Sequence, residues 1–127
     1  MIDNSLVRVL VVEDEPSVRH SLAGFLEDYD FDVSMAETAE DALELMAEQP
    51  CHVAIVDIRL PGIDGDAMIL KAHEMMPTVH FIIYTGSVEY RLSEDLKRIG
   101  TKPEHVFLKP QQDLTVLVDA IQDLLRS

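Results

Sequence analysis

Short apolar runs alternate along the chain with longer segments whose apolar residues recur at helical spacing. The first run, residues 6–12, is almost continuously apolar and ends at three consecutive acids. This pattern is typical of a strand buried on both faces of a parallel sheet. The next segment opens with Pro16 and places its apolar side chains on one helical face. The same alternation predicts strands at 31–36, 53–56, 79–84 and 106–108, and helices at 39–49, 64–75, 87–99 and 114–125.

Five strands that are each followed by a helix predict an α/β domain with a parallel sheet covered on both sides. In such sheets, ligands bind beside the carboxyl ends of the strands. Glu13 and Asp14 follow the first predicted strand, Asp57 the third, Thr85 the fourth and Lys109 the fifth. We therefore expect three carboxylates, a hydroxyl and an ammonium group to line one crevice.

The charge of the chain narrows the classes of partner. Ten Lys and Arg stand against 24 Asp and Glu, for a net charge of −14, and 14 of the acids lie within the first 57 residues. Such a field repels phosphate backbones, which argues against direct nucleic-acid binding. Most of these acids are expected to be solvated surface residues.

Length and cysteine content indicate one cytoplasmic domain. A chain of 127 residues is the size of a single domain. Cys51 is the single cysteine, which excludes a disulfide scaffold. The longest apolar runs are too short to cross a bilayer, so no membrane contact is expected. Asp3 also stands where a signal peptide would carry basic charge.

Three neighbouring carboxylates repel one another unless a cation compensates them. Oxygen ligands favour a hard divalent cation, and Mg²⁺ suits a few carboxylates with water. The five histidines show no paired metal-ligand spacing and Cys51 is isolated, so a zinc site is not expected. Mg²⁺ beside a carboxylate, a lysine and a threonine is equipped for phosphoryl chemistry.

Residues 57–65, with the sequence DIRLPGIDG, closely resemble the segment around the phosphorylated aspartate of receiver domains in two-component response regulators. Glu13-Asp14, Thr85 and Lys109-Pro110 fall at the other characteristic positions of that family. The resemblance covers essentially the whole chain, so we predict one receiver domain over 1–127, similar to single-domain chemotaxis-type regulators. It implies a flavodoxin-like (βα)5 fold with a parallel sheet in strand order 2-1-3-4-5.

The resemblance also implies a role for each acid and for the lysine. Asp57 would accept a phosphoryl group from a phosphohistidine on a histidine kinase or phosphotransfer protein. Asp14 would ligate Mg²⁺ directly, Glu13 through water, and Arg59 through its backbone carbonyl, while Asp57 would be a further ligand. Lys109 would pair with a phosphoryl oxygen once the aspartyl phosphate forms.

Further positions connect this chemistry to the output of the switch. Thr85 would hydrogen-bond the phosphoryl group and move toward it, altering the surface of helix 4, strand 5 and helix 5. Gly86 would leave room for the phosphate, and the bond before Pro110 is a candidate cis peptide. The side chains of Arg59 and Ser87 are candidates for setting the lifetime of the phosphate. The altered surface would contact a downstream protein or effector domain, or form a homodimer.

One position departs from the family pattern. Many members have Tyr or Phe three residues before the lysine, whereas this chain has Val106. Phe107 is adjacent, but neighbouring strand residues point to opposite faces. The segment from Gly100 to Lys109 is also longer than usual. The output surface is therefore expected to be rebuilt, with His105 or Tyr90 as candidate moving groups.

Other interpretations remain open at this level. The acidic pair could cap the following helix. A Mg²⁺-dependent phosphohydrolase also uses an aspartyl nucleophile, but it usually has a second acid two residues later, where this chain has Arg59. Because that acid is missing, we expect no enzyme activity on external substrates. A receiver-like module that binds without phosphorylation is the other alternative, and an output domain could follow residue 127 in a longer protein.

Overall fold

A computed structural model describes residues 3–60 and 62–126 and shows a five-stranded parallel sheet in the order β2-β1-β3-β4-β5. The strands are β1 Arg8–Val12, β2 Asp32–Ala36, β3 Val53–Val56, β4 His80–Thr85 and β5 Val106–Leu108. The helices are α1 Pro16–Asp28, α2 Ala39–Glu48, α3 Gly65–Met75, α4 Glu94–Arg98 and α5 Thr115–Arg126. Single 3-10 turns precede β1 at Asn4–Leu6 and β5 at Pro103–His105. The predicted flavodoxin-like α/β class and strand order are confirmed.

Two hydrophobic clusters cover the two faces of the sheet. Alternate residues of β1 enter different clusters: Leu10 and Val12 pack with α2, α3 and α4, whereas Val9 and Val11 pack with α1 and α5. Because both faces are covered, the buried stretches 9–12 of β1, 53–56 of β3 and 81–84 of β4 carry hydrophobic side chains on both faces, which explains the continuous runs in the sequence. Within residues 3–60 and 62–126, no helix has both the length and the apolar character needed to cross a bilayer.

The start of α3 is fixed against the end of β3. The Asp64 side chain accepts a hydrogen bond from the backbone N–H of Ala67 at 2.9 Å and so caps the helix. A Cβ atom on Gly65 would lie 2.6 Å from the backbone oxygen of Asp57. Glycine is therefore required for the helix to pack this close to the strand end. Gly62 has φ +77° in the preceding loop, while the adjacent Pro61 of the predicted loop lies outside the described residues.

The fourth helix is shorter than predicted. The sequence pattern gave a helix over 87–99, but α4 extends only over Glu94–Arg98, with Ser93 as its cap. Tyr90 and Leu92 both pack against the same hydrophobic cluster from an irregular segment. Residues two apart in a helix point in different directions, so both contacts require the chain to leave the helical path. The helix ends before Gly100, which has φ +100°.

Candidate functional site

The three acids predicted from the strand ends lie together. Oxygen atoms of Glu13, Asp14 and Asp57 all lie within 4.8 Å of one another. The pairing of β1 with β3 brings them close, since the N–H of Asp57 donates to the carbonyl of Val12 at 3.0 Å. Glu13 and Asp57 are buried, with 3% and 6% exposure, whereas Asp14 is open to solvent. The cluster thus has two buried carboxylates and one solvent-facing carboxylate.

Lys109 bridges the two buried acids. Its Nζ atom lies 2.6 Å from Glu13 Oε1 and 2.9 Å from Asp57 Oδ2. The backbone N–H of Lys109 donates to the Thr85 carbonyl at 2.9 Å, and the Lys109–Pro110 peptide is cis, as predicted. Burial lowers the pKa of Lys109, but the bonds to Glu13 and Asp57 outweigh burial, so its net pKa lies above the ordinary value. Lys109 is therefore a fixed positive charge at neutral pH.

Each buried carboxylate also accepts a bond from a nearby backbone amide. Glu13 Oε2 accepts from the N–H of Glu15 at 3.2 Å, and Asp57 Oδ1 accepts from the N–H of Arg59 at 3.1 Å. Burial raises the pKa of Glu13, while the bond to Lys109 opposes that shift. These contacts hold both carboxylates in a fixed orientation toward the strand ends.

Thr85 and its neighbours form the opposite side of the site. Thr85 is fully buried, and its Oγ1 accepts a hydrogen bond from the N–H of Ser87 at 3.2 Å. The Arg59 guanidinium donates to Ser87 Oγ at 3.3 Å, which joins the β3–α3 and β4–α4 loops. Among the described residues, its two chain neighbours apart, a Cβ atom on Gly86 would approach only the Lys109 side chain, at 3.9 Å. The space beside Gly86 is therefore wide enough for a group bound next to Lys109.

Two of the candidates for the output surface, Tyr90 and Val106, line a cavity of about 380 Å³. Val106 lies next to that cavity on one face of the sheet, while Phe107 packs on the other face, as predicted. Tyr90 also lines the cavity, and its hydroxyl donates to Asp66 Oδ1 at 2.9 Å. His105 is buried, and within the described chain its Nδ1 has no hydrogen-bond partner. Pro110 is exposed at the start of the β5–α5 loop.

Arg19 is a site neighbour that the sequence interpretation missed. Its Nη1 atom donates to the carbonyl of Glu13 at 2.9 Å and to that of Asp14 at 3.4 Å, from the first turns of α1. A signal was present in the sequence, since Arg8 and Arg19 are the two basic residues among the first 57. The sequence does not reveal that a side chain one turn into α1 reaches back to these carbonyls.

Comparison with known proteins agrees with this architecture. A family model described as the response regulator receiver domain matches residues 9–122. A protein from Methanospirillum hungatei JF-1, described as a CheY-like response regulator receiver domain protein, superimposes with a TM-score of 0.81. The identity is 27%, and the alignment covers 95% of each chain.

Curated relatives are longer than this chain. An uncharacterized transcriptional regulatory protein, YesN of Bacillus subtilis (strain 168), is 29% identical over 95% of this chain and 34% of its own length. A putative NtrX-like response regulator of Rickettsia bellii (strain RML369-C) is 35% identical over 67% of this chain and 19% of its length. The chain thus spans about a third or less of the length of these relatives. The match over residues 9–122 shows that the chain belongs to the receiver domain family of two-component response regulators.

Proposed function

We propose that Asp57 accepts a phosphoryl group from a phosphohistidine on a histidine kinase or phosphotransfer protein, and that the resulting aspartyl phosphate switches the domain between two signalling states. The observation that carries this proposal is the lysine bridge, in which Lys109 lies 2.9 Å from Asp57 and 2.6 Å from Glu13. A fixed cation beside a buried carboxylate at a strand end is suited to hold a phosphoryl oxygen.

The donor set of the cluster fits Mg²⁺. Three carboxylates offer oxygen ligands within 4.8 Å of one another, and the solvent-facing Asp14 leaves room for water ligands. Asp14, Asp57 and the backbone carbonyl of Arg59 would bind the ion directly, and Glu13 through water. When bound, Mg²⁺ neutralises phosphoryl oxygens and the excess negative charge of the acids.

The transfer itself requires one bond to form and one to break. An Asp57 carboxylate oxygen forms a bond to phosphorus while the phosphorus–nitrogen bond of the donor phosphohistidine breaks, and the released imidazole nitrogen takes up a proton. Lys109 then pairs with a phosphoryl oxygen, and the Thr85 hydroxyl donates to another. Attack by water on phosphorus later returns the carboxylate and releases phosphate. The chain thus catalyses only its own modification.

The segment that begins at Thr85 connects the phosphorylation site with the output surface. When the Thr85 hydroxyl turns to the phosphoryl group, the β4–α4 loop moves with it because Ser87 N–H is bonded to Thr85 Oγ1. This loop borders the cavity lined by Tyr90 and Val106. The changed α4, β5 and α5 surface contacts a downstream protein or effector domain, or a second copy of the chain. We propose that the phosphorylation and the contact with the downstream partner take place in the cytoplasm.

Incubation with acetyl phosphate and Mg²⁺, followed by intact mass measurement, tests the proposal. We expect an adduct of about 80 Da, one phosphoryl group, that decays on standing and does not form when EDTA is present from the start. Asp57→Asn should prevent the adduct, whereas Asp32→Asn at the far end of the sheet should not. Absence of the adduct from wild-type protein would refute phosphorylation and favour a receiver-like binding module. Steady hydrolysis of an external phosphate ester would instead indicate a phosphohydrolase.

A further inference from the structure

Arg19 contacts the backbone of the acidic pair, and the function proposed above gives it no role. Its side chain is only 12% exposed, and Nη1 binds the carbonyls of Glu13 and Asp14 at 2.9 and 3.4 Å. The same atom lies 3.8 Å from the Glu37 carboxylate in the turn after β2. One guanidinium therefore connects α1 with the turns that follow β1 and β2.

These contacts fix the direction of the Asp14 side chain. The Glu13 carbonyl belongs to the peptide plane before Asp14, and the Asp14 carbonyl belongs to the plane after it. Peptide planes are rigid, so binding both carbonyls to one cation restricts the two backbone angles of Asp14. The direction of its Cβ bond follows from those angles. Glu13 is held in addition by its N–H, which donates to the Ala36 carbonyl at 3.0 Å.

The positive charge of Arg19 and its hydrogen bonds have opposite effects on the affinity of the site for Mg²⁺. A guanidinium near a cation site repels the cation, so its removal would strengthen Mg²⁺ binding if charge were the main effect. The Glu37 carboxylate partly compensates that charge. Hydrogen bonds from a charged donor to backbone carbonyls are among the stronger ones. Positioning is therefore expected to outweigh repulsion.

We propose that Arg19 is a positioning residue for the Mg²⁺ site, which orients the Glu13–Asp14 turn so that both carboxylates face Asp57. This inference rests on the proposed function, because it assumes that the acidic cluster binds Mg²⁺. It predicts that the loss of Arg19 weakens metal affinity while leaving the phosphoryl transfer step intact once the metal is bound.

Titration of Mg²⁺ into the full chain by calorimetry provides the test. Arg19→Met should bind Mg²⁺ about tenfold more weakly, the loss expected for one charge-assisted hydrogen bond. Arg19→Lys keeps the charge and one donor, so its affinity should return to within about threefold of wild type. Arg8→Met is the matched control, because Arg8 forms an exposed 3.9 Å ion pair with Asp32 at the other end of β1. Its affinity should match that of wild type.

Phosphorylation by acetyl phosphate separates positioning from a general loss of structure. For Arg19→Met, the half-saturating Mg²⁺ concentration should rise about tenfold, while the rate at saturating Mg²⁺ stays within about twofold of wild type. Urea unfolding without Mg²⁺ establishes that the variant is folded. If Arg19→Met gives no cooperative transition, Arg19→Gln replaces it under the same criteria.

An affinity for Mg²⁺ equal to or above that of wild type in Arg19→Met would overturn the inference, because charge repulsion would then be the main effect. A lower saturated rate with unchanged half-saturation would overturn it as well. Wild-type protein that neither binds Mg²⁺ nor accepts phosphate would instead refute the proposed function itself. The two failures are therefore distinguishable in one set of measurements.

Discussion

Removal of the bridging lysine should destabilise the folded domain strongly. In Lys109→Met, the carboxylates of Glu13 and Asp57 would remain together with side-chain exposures of 4% and 7% and without their shared cation. Loss of one partner of a buried ion pair costs about 3–5 kcal/mol. We expect a loss of about 3 kcal/mol, at the lower end, because the solvent-facing Asp14 side of the cluster lets water screen the charges.

Urea unfolding followed by far-UV circular dichroism measures this loss without a tryptophan probe, which the chain lacks. With a denaturant slope of about 2 kcal/mol/M, the midpoint should fall by roughly 1.5 M. Lys97→Met is the matched control, since Lys97 forms an exposed 3.3 Å pair with Glu94. Exposed pairs contribute at most about 1 kcal/mol, so this variant should unfold near the wild-type midpoint.

The pH and Mg²⁺ dependence of the loss identifies its cause. Burial already raises the pKa of Glu13, and loss of the lysine raises it further. A carboxyl with a raised pKa binds its proton more readily in the folded state, so the variant gains stability relative to wild type as pH falls toward the raised pKa. Added Mg²⁺ should also narrow the difference by neutralising the same acids. A loss below about 1 kcal/mol, or one independent of both pH and Mg²⁺, would refute the reasoning.

Two further predictions concern side chains away from the lysine bridge. Burial raises the pKa of the Cys51 thiol to about 11, two units above its ordinary 9.0, so iodoacetamide at pH 8 should alkylate it about 100-fold more slowly than free cysteine. The rate should still rise about tenfold from pH 9 to pH 10, where that of free cysteine levels off, and urea should abolish the protection. Gly65→Ala should lower the free energy of unfolding by about 2 kcal/mol, because its Cβ would meet the Asp57 backbone oxygen at 2.6 Å. A Cβ atom on Gly24 in α1 would meet no described atom within 4 Å beyond its chain neighbours and the backbone of its own helix, so Gly24→Ala should raise that free energy by about 0.5–1 kcal/mol. Equal effects of the two substitutions in urea titrations would contradict the packing argument.

The sequence predicted the sheet well because burial on both faces leaves an unambiguous local pattern. The predicted strand at 53–56, which is buried at every position, agrees with the structure residue for residue, and so does the partly exposed edge strand at 106–108. The helix predicted over 87–99 was wrong at its start. Tyr90 and Leu92 both pack against the core, and the Tyr90 hydroxyl donates to Asp66, and these contacts do not fit a helical period. Contacts with distant residues decide whether a weakly amphipathic segment forms a helix, and a short stretch of sequence does not contain those residues.

For the candidate site as well, the sequence and the tertiary structure determined different features. The amino-acid sequence by itself determined which chemical groups stand at the strand ends, since each such residue lies at the end of a short apolar run. The tertiary structure decided how those groups pair: Lys109 is 96 residues from Glu13 in the chain but 2.6 Å from it in space. It also revealed Arg19 on the backbone of the acidic pair. Periodicity is a local property of the sequence, whereas these distances depend on strand order and packing, which form only when the whole sheet assembles.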